Sequence, residues 1–117
     1  MNPIATDAST SKTQRMCFLL ALRPERVEDY LAAHEHVWPE MLDALRTAGW
    51  RNYSLFLRKE DGLVVGYVES RDPQAMTAAM SATDVDARWQ KTMAEYFEPS
   101  ARPDAPLEFL THYFHLP

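Results

Sequence analysis

A chain of 117 residues predicts one domain, large enough to bury a core but leaving much of its surface in solvent. Twelve Lys and Arg against seventeen Asp and Glu give a net charge of −5, and the basic residues form no run. That pattern argues against nucleic acid as a partner. A single cysteine, Cys17, precludes an internal disulfide and fits a reducing, cytoplasmic setting. No apolar stretch approaches the roughly 20 residues of a membrane helix.

Residues 1–14 are polar and read as a disordered leader, without the basic start and apolar centre of a signal peptide. A first strand is expected from Arg15 to Leu22, apolar on both faces, with Cys17 as a small core residue. Pro24 opens a helix whose early Glu25 and Glu28 complement the helix dipole, and it should run to about Val37. Pro39 removes a backbone donor and restricts Trp38, so the helix breaks there and restarts over Glu40 to Ala48, ending at Gly49.

Alternation over Asn52 to Arg58 predicts a second strand, and Asp61-Gly62 a hairpin turn into a third strand over Leu63 to Glu69. Pro73 to Ser81 reads as an Ala-rich helix. Another begins near Asp84, with Val85, Trp89, Met93, Tyr96 and Phe97 on one stripe. Pro99, Pro103 and Pro106 mark a loop, and Glu108 to Leu116 reads as a last strand. The order β-α-β-β-α-β is the ferredoxin-like pattern: an α+β fold, an antiparallel sheet with helices on one face. The open face calls for a cover, and a second copy in a dimeric α/β-barrel assembly is the simplest one.

Chemistry concentrates at Tyr30 and His34. Four residues apart on a helix, they share a face with Val27 and Leu31. A histidine on an apolar stripe is either a hydrogen-bonded core residue or the floor of a pocket. Tyr53 from the second strand and Trp89 from the last helix can converge on the same place, and a pocket of aromatic walls with a few polar tips suits a sugar. Metal binding is disfavoured. His34 and His36 diverge by about 200° around a helix, and His112 and His115 fall on opposite faces of a strand. Glu40 is adequately explained as a first-turn acid, Trp38 as a packing residue, and Asn52 as a support for the tyrosines.

Several motifs point the same way. Tyr30-x-x-x-His34-x-x-x-Trp38-Pro39-Glu40, Asn52-Tyr53-Ser54, Thr83-Asp84-Val85 leading to Arg88-Trp89, and the ending Phe114-His115-Leu116-Pro117 occur in order. In these, residues 15–117 resemble the L-rhamnose mutarotase family. The resemblance implies a small homodimeric ferredoxin-like protein that interconverts the α and β anomers of L-rhamnose with no cofactor and no metal. It further implies His34 as proton donor, with Tyr30, Tyr53 and Trp89 binding the sugar. Many relatives have a second tryptophan directly after the position of Trp89. Here Gln90 stands in its place, able to hydrogen-bond a hydroxyl where an indole would stack. L-fucose or another 6-deoxyhexose is therefore an alternative substrate. A cofactor-independent monooxygenase and a non-catalytic dimeric ligand-binding module are the competing readings.

On the mutarotase reading, His34 protonates the ring oxygen and recovers the proton on closure. The acceptor of the anomeric proton is left open among Tyr30, an acidic residue and a bound water. An imidazole with an ordinary pKa near 6.5 suits such an exchange.

Overall fold

The computed structural model describes residues 12–99 and 107–117. The leader expected over residues 1–14 falls mostly, and the proline-marked loop largely, outside the described residues. β1 (Gln14–Ala21) buries Met16 and Phe18 on its inner face, and Leu22 follows just beyond its end in the same core. Pro24–Arg26 makes one 3₁₀ turn before α1 (Val27–His34).

α1 stops at His34, three residues before the expected end. Trp38 precedes a proline and adopts φ −57°, ψ 133°, outside the helical region, because the proline ring would clash with a helical neighbour. α2 (Pro39–Ala48) therefore begins afresh and closes on Gly49 at φ 97°, whose N–H reaches back to the Arg46 and Leu45 carbonyls.

β2 (Arg51–Arg58) and β3 (Leu63–Ser70) form the hairpin, and β3 pairs antiparallel with β1 on its other side, giving the order β1-β3-β2. The β2–β3 register shifts between Arg51 and Ser54, where Asn52 takes φ 50°. Asparagine tolerates that left-handed conformation better than most residues. The extra residue leaves Arg51 opposite Glu69 on the outer face while Tyr53 points inward with Leu55 and Leu57. Asn52 itself donates from Nδ2 to Glu69 Oε2 at 2.9 Å, and Tyr67 donates its hydroxyl to the same oxygen at 2.7 Å. Asn52 thus braces a bulge on the outer face, and no hydrogen bond joins it to Tyr30 or Tyr53 among the described residues.

α3 (Pro73–Ser81) is capped by Asp72, whose Oδ1 accepts from the Ala75 N–H at 3.1 Å. α4 (Asp84–Met93) is capped by Thr83, and a 3₁₀ turn over Ala94–Tyr96 follows. All four helices lie on the inner sheet face, where Val64, Val68, Met76, Met80, Val85, Trp89, Met93 and Phe97 complete the core. The fold is ferredoxin-like, as expected.

Two further details differ from expectation. The C-terminal segment is not a strand: it touches the sheet at one bridge, Phe18 opposite Phe109, with the Leu110 N–H donating to the Cys17 carbonyl at 2.8 Å. Aromatic residues favour strands when a half-buried surface receives them. Here Tyr113, Phe114 and Leu116 meet none and are 92%, 73% and 78% exposed. Cys17 is also not a core residue. It sits opposite Tyr67 on the outer sheet face and is partly exposed, because the strand's alternation gives the inside to Met16 and Phe18.

Gly66 faces Phe18 across the β1–β3 pair, and a Cβ added there would stand 2.5 Å from ring carbons of Phe18, itself only 1% exposed. The ring must shift out of its packed position to make room. Gly66→Ala should therefore destabilise the fold by about 1–3 kcal/mol through overpacking, read as a lower midpoint in urea denaturation followed by circular dichroism.

Candidate active site

α1 stacks Tyr30 and His34 one turn apart, with ring centroids 4.3 Å apart. Tyr30 is 5% exposed and edged by Phe97 at 5.9 Å and Tyr96 at 6.3 Å. The His34 ring continues outward from Tyr30 and meets Trp89 edge-on at 5.4 Å, and Trp38 packs against the far side of the site, 5.0 Å from Trp89. Trp38 is the packing residue the sequence suggested.

The His34 Nδ1 lies 3.3 Å from the Tyr30 carbonyl oxygen. A carbonyl only accepts, so Nδ1 carries the hydrogen, and in the neutral ring Nε2 holds the free lone pair. Burial lowers the His34 pKa below its usual 6.5, and the backbone hydrogen bond offsets this only in part. The imidazole is thus a neutral base at pH 7, with Nε2 unpartnered among the described residues.

His34 lines a cavity of about 1110 Å³ between the inner sheet face and the helices. Tyr53, Trp89 and Gln90 line it as well, so four of the five residues singled out from sequence share one space. Tyr30 does not line it; it stands behind His34 and sets the imidazole through its carbonyl. Trp89 answers both of its sequence readings, being 7% exposed within the core while contributing to the cavity wall.

Tyr53 packs between Trp50, at 4.9 Å, and Phe18, at 6.3 Å. Burial drives its pKa well above that of a free phenol, with the charges of Tyr30 and Asp86 adding to the effect. Burial likewise pushes Tyr30 up to about 12. Both phenols stay protonated at neutral pH and can act as hydrogen-bond donors.

Trp50, Arg23 and Asp86 are among the lining residues that the sequence did not single out. Trp50 supports Tyr53 and is anchored by Nε1–H donation to the Met76 carbonyl at 3.3 Å. Arg23 reaches the cavity with its Nε–H donating to the Phe97 carbonyl at 2.9 Å. Asp86, half-buried, accepts at Oδ1 from Gln90 Nε2 at 3.1 Å. Asp86 carried a legible signal, lying three and four residues before Trp89 and Gln90 on one helical face. Among the described residues, no three His, Cys, Asp or Glu side chains converge as a metal site requires. His36 is exposed, apart from the cavity.

The family model described as L-rhamnose mutarotase matches residues 15–116. The chain belongs to the L-rhamnose mutarotase family. It is 35% identical over 103 residues to the L-rhamnose mutarotase of Pectobacterium carotovorum, covering 87% of this chain and 97% of that one. Its fold is similar to the crystal structure of the L-rhamnose mutarotase of Formosa agariphila, with TM-score 0.73 at 20% identity, covering 89% of this chain and 99% of that one. A putative antibiotic biosynthesis monooxygenase from Nitrosomonas europaea shares the fold alone, with TM-score 0.56 at 13% identity over 84% of this chain and 86% of that one. No helix of the described residues is long and apolar enough to cross a membrane.

A desolvated, neutral imidazole makes a definite prediction. The His34 ring resonances should titrate with a midpoint below 6.5 in ¹H–¹³C NMR, the imidazolium forming only as pH falls through that lower value. A midpoint at or above 6.5 would mean that the ring is solvated.

Proposed function

We propose that this chain interconverts the α and β anomers of L-rhamnose, with His34 as the proton-transfer group. The observation that carries the reading is a neutral imidazole on a cavity wall, its Nε2 lone pair free and its other face set against Trp89. Family membership supplies the substrate.

Ring opening needs a proton removed from the anomeric hydroxyl and one delivered to the ring oxygen. Both oxygens are bonded to C1, so a single nitrogen can serve both. Nε2 takes the proton from O1, the O1 electrons form the C1–O1 double bond, and the C1–O5 bond breaks. The imidazolium then gives that proton to O5 and returns to its neutral form. After rotation about C1–C2, the same steps in reverse close the ring on the other face. His34 is thus both the acceptor of the anomeric proton and the donor to the ring oxygen.

Trp89 supplies an apolar wall for the sugar's C–H face or C6 methyl. The Tyr53 hydroxyl and the Gln90 amide offer hydrogen bonds to ring hydroxyls. Tyr30 orients His34 and closes the cavity behind it. Positioned proton transfer typically contributes about 10²–10⁴-fold, a modest demand suited to a reaction that already proceeds in water. A monooxygenase would instead consume oxygen with an aromatic substrate, and a binding module would hold sugar without speeding exchange.

Residues 15–117 act as one domain on this reading, supported by a family match over 15–116. The lone cysteine supports a cytoplasmic setting. A homodimer completes the picture. The outer sheet face leaves Phe56 at 62% and Leu19 at 46% exposure, beside Val65 and Tyr67, an apolar surface that a second copy would cover.

His34→Ala should lower catalysed exchange of L-rhamnose anomers by about 10²–10⁴-fold, measured by saturation-transfer NMR, with circular dichroism unchanged. Wild-type exchange in the variant would remove His34 from the mechanism. Phe56→Glu should convert a dimer into a monomer in sedimentation velocity, and a wild-type monomer would refute the dimer.

A further inference from the structure

The mechanism above uses His34 at one end of the cavity and leaves an acid on its wall unexplained. Asp86 lies one helical turn from Trp89, whose ring touches His34. Its position in the first turn of α4 invites a bland account, that of a carboxylate offsetting the helix dipole or closing a capping box. The hydrogen bonds say otherwise. The Thr83 N–H, which a capping-box acid would receive, donates instead to the Met80 carbonyl at 3.0 Å. The Asp86 carboxylate turns the other way, toward Gln90, along the face that lines the cavity.

We infer that Asp86, held in place by Gln90, is a specificity-determining residue whose free carboxylate oxygen accepts hydrogen bonds from sugar hydroxyls beyond the anomeric centre. The inference rests on the mutarotase reading for the identity of the sugar. Oδ1 is engaged by the Gln90 amide, and Oδ2 has no partner among the described residues. The pair therefore presents an anionic acceptor, an amide oxygen and one remaining amide N–H side by side. Tyr53, a protonated donor, faces the same space from the sheet and feels the Asp86 charge. A ring with adjacent hydroxyls satisfies that set: its hydroxyl hydrogens go to the carboxylate and a hydroxyl oxygen receives the phenol.

The position of Gln90 gains a reason on this account. An indole there would stack on the sugar but could not brace a carboxylate. An amide one helical turn beyond Asp86 can. The two residues form one polar device beside the aromatic part of the wall.

Asp86→Asn keeps the shape and a residue type tolerated near a helix start, but removes the charge. It should raise KM for L-rhamnose about ten- to hundredfold, the range expected for losing a hydrogen bond to a charged group, while kcat changes little. Gln90→Leu should raise KM in the same direction by a smaller factor. A role confined to the helix would move the melting temperature and leave KM alone, so an unchanged KM in Asp86→Asn overturns the inference. Isothermal titration of both proteins with L-rhamnose separates this from the mutarotase reading. If the wild type binds L-rhamnose without speeding anomer exchange, the mutarotase reading fails, yet weaker binding by Asp86→Asn still supports the role of Asp86. Equal binding by the two proteins, or none by the wild type, overturns it.

Discussion

One hydrogen bond determines what the cavity can do. The Tyr30 carbonyl, one turn back on α1, accepts from the His34 Nδ1–H and so leaves Nε2 as the free nitrogen on the cavity wall. α1 ends at His34, and Pro39 holds Trp38 out of helical geometry, so α2 starts on a new axis and the imidazole sits at a helix end. A longer helix would surround the imidazole with further turns of backbone and side chain in place of the open cavity.

Burial then finishes what orientation begins. Aromatic rings flank His34 on two sides, and removal of water favours the uncharged form of any base so enclosed. The same dryness holds both phenols protonated. The cavity therefore presents one acceptor nitrogen, from His34, and one phenol donor, from Tyr53, at neutral pH, a complement suited to an uncharged polyol. Asp86 adds an anionic acceptor to a lining that also holds Arg23, Lys91 and Glu98.

Much of this was legible in the chain itself. The helix break at Trp38-Pro39, the glycine stop at Gly49 and the Asp61-Gly62 hairpin follow from backbone restrictions that hold in any context. The shared cavity of His34, Tyr53, Trp89 and Gln90 followed from periodicity plus family motifs. What stayed hidden depends on pairing rather than pattern. The bulge at Asn52 adds one residue to β2, and nothing local marks which strand position carries it. Cys17 and Phe18 are both apolar neighbours, and only the register with Tyr67 and Gly66 shows which of them turns outward. The C-terminal segment reads as a strand by residue type, but a strand needs a neighbour along its whole length, and here it has one at a single point.

That single point adjoins the cavity. Leu107 and Phe109 help wall the cavity, and Phe109 rests on Phe18, the same ring that packs toward Tyr53. Immediately beyond, the chain runs free with its aromatic groups in water. The four residues from Leu107 to Leu110 thus supply both two side chains of the chamber wall and the backbone tie to β1, so a change in that short stretch alters the enclosure and the attachment of the tail together.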